Sequence, residues 1–120
     1  MPSIVLPSSS SVTLAGGTTH YVAPDVQVLV TAGDAITFTS VDDGVLYNDG
    51  IIVSVADEGV AFGSNSGGHS VVNGESGIIR GTDSGILMFT VNNALNSVTN
   101  LGSIYGGQEG IFMSGAAVGA

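Results

Sequence analysis

Carboxylates placed just ahead of a recurring glycine are the residues of this chain whose type and spacing could do chemistry. Asp57-Glu58 precede Gly59, Asp83-Ser84 precede Gly85, Gln108-Glu109 precede Gly110, and Asp42-Asp43 stand in the same way before Gly44. If Gly44 shares that column, acidic side chains line one corner of several repeats. Hard cations such as Ca2+ want clustered carboxylates and carbonyls, so Asp42, Asp57 and Asp83 form a candidate cation site. Like charges held close together otherwise repel unless they are solvated. A solvated acidic corner on a chain without lysine is the simpler of the two readings, because no spacing here specifies a metal cage.

Other chemistry finds less to work with. His20 and His69 are the only side chains that titrate near neutrality, and neither has a second histidine or a cysteine at ligand spacing. His69 directly precedes the strand-like Ser70-Val71-Val72-Asn73, so a loop position is expected for it. There is no nucleophile elbow to anchor a Ser-His-Asp set, and no catalytic or cofactor-binding residue is assigned. Arg80 is the only basic residue against ten acids, which leaves a β-helix enzyme of the type that acts on uronic-acid polymers without cationic groups for its substrate. A hydrolase using two carboxylates has acids enough, but most of them occupy turn positions where Asp and Glu are expected anyway.

Composition narrows the class. In 120 residues the formal charge is −9, charged residues are 9%, hydrophobic residues 43%, and there are 19 glycines and no cysteine. Nucleic acid is excluded as a partner for want of Lys and Arg, and an anionic membrane surface for the same reason. No disulfide framework exists. The N-terminus lacks a basic segment and its short apolar run is broken by Pro7, so no cleavable signal peptide is expected in this chain, and no run is long enough to span a bilayer.

The elements that must position these residues are strands. Val12 and Leu14, then Val26, Val28 and Val30, then Ile36 and Phe38 sit two apart, bounded by Gly16-Gly17, Pro24-Asp25 and Gly33-Asp34. That alternation predicts short strands and turns. No window carries helical periodicity, and glycines interrupt every longer stretch.

From Asp42 onward a repeat takes over. Asn48, Asn73 and Asn100 form one column, Gly50, Gly77 and Gly102 a second, and Ile52, Ile79 and Ile104 a third. Ser54, Gly81 and Gly106 follow, then Gly59, Gly85 and Gly110, and each copy closes on an apolar triplet: Val60-Ala61-Phe62, Ile86-Leu87-Met88 or Ile111-Phe112-Met113. A period of about 25 residues with two or three strand signals is that of stacked solenoid coils. Stacking makes each column a ladder in which identical residues touch. Isoleucines then form an apolar ridge, glycines serve a bend needing positive φ or close backbone approach, and asparagines hydrogen-bond one another along the axis.

The string Val98-Thr-Asn-Leu-Gly-Ser-Ile-Tyr-Gly-Gly-Gln-Glu-Gly-Ile resembles the V-x-N-x-G-x-I-x-G-x-x-x-G-I coils of right-handed parallel β-helices in bacterial autotransporter passengers and hemolysin-type (RTX-like) secreted or surface proteins. The resemblance covers residues 42 to 115. It implies a fold more than a function, since such coils serve adhesins, toxins, polysaccharide enzymes and virion spikes alike. The calcium nonapeptide of the hemolysin type is absent: Gly67-Gly-His-Ser and Gly106-Gly-Gln-Glu both break it.

The expected fold is therefore all-β, a short right-handed parallel β-helix of about three coils in one domain. Residues 1–41 are expected to form an N-terminal β cap or irregular first coil, and residues 42–120 the repeats. A β-sandwich is the alternative, with no reason to repeat Asn and Gly at a fixed interval. The expected core is Val28, Val30, Ile36, Phe38, Leu46, Ile52, Val60, Phe62, Val71, Ile79, Ile86, Met88, Val98, Ile104, Ile111 and Met113. The last coil carries no polar cap, so a partner is expected there, either a continuing solenoid or a homo-oligomer. Two functions fit: a non-enzymatic structural or adhesive segment of a secreted or cell-surface protein, or a carbohydrate-binding or carbohydrate-active module such as that of a virion spike, with Tyr47 and Tyr105 as a sugar-stacking surface.

Overall fold

A computed structural model describes residues 3–14, 19–38, 44–62, 69–90 and 97–115. Fourteen strands and no helix are found among them: β1 (Ser3–Ile4), β2 (Val12–Leu14), β3 (Thr19–Val22), β4 (Gln27–Val30), β5 (Ile36–Phe38), β6 (Val45–Asn48), β7 (Ile51–Ser54), β8 (Val60–Phe62), β9 (Ser70–Asn73), β10 (Ile78–Gly81), β11 (Ser84–Thr90), β12 (Ser97–Asn100), β13 (Ser103–Gly106) and β14 (Glu109–Gly115).

All pairing between these strands is parallel, and each strand pairs with the strand three along the chain rather than with its neighbour in sequence, save that β1 joins β3. The chain therefore winds as a β-solenoid with three sides. The first sheet has the order β1-β3-β6-β9-β12, the second β4-β7-β10-β13, and the third β2-β5-β8-β11-β14. Three regular turns run from Val45 to Gly115. The N-terminal segment continues the same three sheets: β3, β4 and β5 make one more turn in register, and β1, a bridge from Ser8 to Val28, and β2 make part of another.

Register explains the columns. Asn48 pairs with Asn73 and Asn73 with Asn100; Ile52 pairs with Ile79 and Ile79 with Ile104; Val60 pairs with Ile86 and Ile86 with Ile111. In the extra turn these places are held by Val22, Val28 and Ile36. Period-two alternation turns one residue in two inward, and the inward set fuses into one core. Twelve of the expected core residues, Val28 through Met88, are buried there at 0–1% exposure. Removing each such side chain from water contributes about 1.5–3 kcal/mol.

The C-terminal turn differs. Val98 and Ile104 are only partly buried, and Ile111 is 40% exposed although its column is fully buried in the turns before. The side chain of Met113 lies outside the described residues. Ile111 is exposed because its strand belongs to the last layer: β12, β13 and β14 each end their sheet and have a neighbour on one side only.

Candidate functional site

Two corners of the solenoid carry the repeated polar residues. At the corner between the first and second sheets, Asn48 Nδ2 donates to Asn73 Oδ1 at 2.8 Å and Asn73 Nδ2 to Asn100 Oδ1 at 2.9 Å. Asn73 Nδ2 also donates to the carbonyls of Gly77 and Ser103, at 3.0 and 3.1 Å. Asn48 and Asn100 turn their Oδ1 back to accept from the amides of Gly50 and Gly102, both at 3.1 Å. Asn48 and Asn73 are buried at 1% and 0% exposure, which is affordable only because the amide is satisfied in this way.

The glycine column serves the same corner by close approach. A Cβ on Gly77 would collide with Asn73 Oδ1 and the Asn48 carbonyl, and one on Gly102 with the carbonyls of Gly74 and Gly77. Positive φ is not the reason; Gly33 alone, at 71°, adopts it among the described glycines.

The second corner lies between the second and third sheets and is acidic. Ser54 shapes it: its hydroxyl donates to the Gly33 carbonyl at 2.6 Å and accepts from the amides of Ala56 and Asp57, at 3.2 and 3.0 Å. Glu58 N donates to Asp34 Oδ1 at 3.1 Å, and Ala35 N to the Glu58 carbonyl at 3.0 Å. Oxygens of Asp34, Asp57 and Glu58 thereby lie within 4.8 Å of one another. Burial pushes the Glu58 carboxyl from its ordinary 4.5 up to about 8, helped by hydrogen bonds to Asp57 and Asp34 that favour its protonated form and by their charges. Three carboxyl groups at that spacing are chemically able to share a proton or to bind one hard cation.

The expected site residues fare differently. Asp57 lies in the cluster. Asp83 is one turn further on, its amide directed at the Asp57 carbonyl at 3.3 Å, while its own carbonyl accepts from Gln108 N at 2.8 Å. The pairs Asp57-Glu58, Asp83-Ser84 and Gln108-Glu109 do stack, as their glycines imply. Asp42 lies outside the described residues. Gly44, the glycine that would have placed it in this column, sits instead at the entrance to β6: its carbonyl accepts from Ser70 N at 2.8 Å and its amide donates to His69 Nδ1 at 3.1 Å. The corresponding place in the earlier turn belongs to Ala35, so the acid that completes the cluster is Asp34. Sequence reasoning passed over Asp34 because alanine stands where the later turns have glycine.

Both histidines are core residues. His69 does precede its strand, but it is 1% exposed, with its ring stacked on Phe62 at 4.7 Å between centroids. Phe62 stacks in turn on Phe38 at 4.7 Å, and His20, 5% exposed, meets the edge of Phe38 at 5.8 Å. His69 Nδ1 accepts a hydrogen bond from Gly44 N, the arrangement of a neutral imidazole with its proton on Nε2. These rings continue an aromatic stack.

Tyr47 and Tyr105 project from different sheets and do not make one platform. Tyr105, 58% exposed, lies under the Arg80 guanidinium at 5.2 Å, a cation–π contact that occupies the one basic side chain. Tyr47 is 44% exposed beside Tyr21 on the first sheet, and the Tyr21 hydroxyl donates to Asp49 Oδ2 at 2.9 Å. That hydrogen bond holds the Tyr21 hydroxyl above its ordinary value of 10.0. Compared with known proteins, the chain matches no family model, no curated protein and no solved structure.

Proposed function

We propose that this chain is a non-enzymatic structural or adhesive β-solenoid segment of a secreted or cell-surface protein, with its partner, a second copy or further coils, at the C-terminal turn. One observation carries the reading: the repeated residues are used up by stacking. The asparagine amides bond one another, the glycines admit neighbouring carbonyls and the isoleucines fill the core, so stacking accounts for the repeated pattern without any chemistry. The resemblance to autotransporter-passenger and hemolysin-type coils supports an extracellular or surface location. Fractionating the producing cells and probing intact ones with an antibody tests this. Surface or medium localisation is expected, and confinement to the cytosol would overturn it.

A carbohydrate-binding role is the second reading, favoured by the Tyr21–Tyr47 pair and the Asp49 carboxylate on one outer face. Aromatic faces beside a fixed polar group are the elements of a sugar subsite. A glycan array with a release assay separates the two: specific binding lost in Tyr47→Ala establishes the second, and bond cleavage would also remove the word non-enzymatic from the first.

A further inference from the structure

The outer face of the first sheet carries chemistry that stacking does not use. One outward column there runs Ile4, Tyr21, Tyr47, Val72, Thr99, each residue in register with the next one layer on. Tyr47 is 44% exposed. Asp49 stands two residues beyond Tyr47, the spacing that returns a strand to the same face, and its amide still donates to the ladder, to the Val22 carbonyl at 2.8 Å.

The Asp49 carboxylate is held on both sides. Its Oδ2 accepts from the Tyr21 hydroxyl at 2.9 Å, and its Oδ1 lies against Gly74, where a Cβ would overlap it. Gly74 thus clears the space that the carboxylate occupies. An ionised carboxylate has about four lone-pair sites, so the Tyr21 hydrogen bond leaves it able to accept from a ligand. Asp25 adds a second negative charge beside the same ring: after the Asp49 hydrogen bond and desolvation, the charges of Asp49 and Asp25 also hold the Tyr21 hydroxyl above its ordinary value.

The second sheet shows what an outward tyrosine in such a column takes. Arg80 and Tyr105 are in register one layer apart, and the guanidinium stands over the ring at 5.2 Å. Arg80 is the only Lys or Arg of the sequence, and the in-register neighbours of Tyr47 are Tyr21 and Val72. The first sheet therefore repeats the tyrosine, adds a fixed carboxylate, and receives no guanidinium from its own chain. We propose that Tyr47, Tyr21 and Asp49 form a docking site for an arginine side chain of a basic partner protein. The inference rests on the adhesive reading above and names the chemistry of a partner on the flank of the stack.

Arginine fits this site better than lysine. A planar guanidinium can lie over the Tyr47 ring while its edge donates to Asp49, two contacts that a compact ammonium does not make together. A formal charge of −9 draws a cationic partner towards the chain, and the tyrosine beside the pinned carboxylate gives that attraction a fixed address. An amino sugar, which would bring an ammonium to the same face, is the competing ligand.

Titration calorimetry on the full chain at physiological salt, with a short oligo-arginine peptide as the probe, tests the proposal. Tyr47→Ala and Asp49→Asn should each weaken binding about tenfold, whereas Tyr47→Phe, which keeps the ring face, should stay within about twofold. Asp83→Asn removes the same charge at the other corner and should change binding by less than about twofold, while an oligo-lysine peptide of equal length should bind about tenfold more weakly. The two Tyr47 variants alter an outward side chain, so they decide the matter even if Asp49→Asn fails to fold. Absence of binding, an Asp83→Asn loss equal to that of Asp49→Asn, equal binding of the lysine peptide, or a preference for a glucosamine oligomer through Tyr47 would overturn the proposal. If the protein is found at the cell surface but does not bind the peptide, only this inference falls. Tyr47-dependent binding by a protein confined to the cytosol would overturn the surface reading instead.

Discussion

The asparagine corner and the acidic corner recur at the same period, face each other across the second sheet, and stack polar residues to opposite effect. An asparagine carries both donor and acceptor, so a copy of itself one layer away is its ideal partner: Asn48 gives to Asn73 and Asn73 to Asn100. An ionised carboxylate only accepts, so its copy is a competitor. At the acidic corner the fold lessens the conflict by supplying a backbone donor, Glu58 N to Asp34, and by holding Glu58 protonated to higher pH. The difference teaches how to read a column of like residues. Repetition of a self-complementary side chain marks a structural ladder, whereas repetition of a charged one marks a place where stability depends on pH and ions.

The largest way to break the contrast is at the first corner. Gly77→Ala drives a methyl group into Asn73 Oδ1 and the Asn48 carbonyl, and should destabilise by about 3 kcal/mol or more, or prevent folding, in a urea titration. Asn73→Ala should cost roughly 2–3 kcal/mol, since it strips buried Asn48 Nδ2 of its amide acceptor. Asn100→Ala, at the exposed end of the same ladder, should cost less than about 1 kcal/mol, so the gradient along one column is itself a check.

The acidic corner should respond with the reverse sign. Between its ordinary 4.5 and about 8, Glu58 binds more protons in the native than in the unfolded chain, so stability falls as pH rises through that window. Glu58→Gln should remove this slope and, above pH 8, stabilise by roughly 0.5–1 kcal/mol once solvent screening is allowed for. Smallest is the ion effect: millimolar Ca2+ at pH 8 should raise the parent melting temperature by roughly 1–3 °C over a chelated sample, and by less in Glu58→Gln. An unchanged melting temperature would remove the cation from consideration.

Much of this was legible in the sequence because stacking writes the same residue at the same interval. The asparagine, glycine and isoleucine columns, and twelve buried core residues, follow from that alone. The N-terminal turn was harder to see because it keeps the geometry without the letters: Val22 stands for asparagine, Ala35 for glycine, and β3 turns His20 inward, where an alternation of apolar residues does not register it. Asp34 was lost with that turn, and the acidic cluster with it. The burial of His69 had no local signal at all. It follows from Phe38 and Phe62, which lie 31 and 7 residues away in sequence and come beside it only when the turns close.

A pair of double-mutant cycles tests most directly whether the two corners are built on opposite physics. Equilibrium unfolding at pH 8 of the Asn48→Ala and Asn73→Ala singles and their double should yield a favourable coupling of about 1 kcal/mol. The Asp34→Asn and Glu58→Gln set should yield an unfavourable one. No coupling between Asn48 and Asn73, or couplings of the same sign at both corners, would contradict the assignment of the asparagine column as a self-complementary ladder.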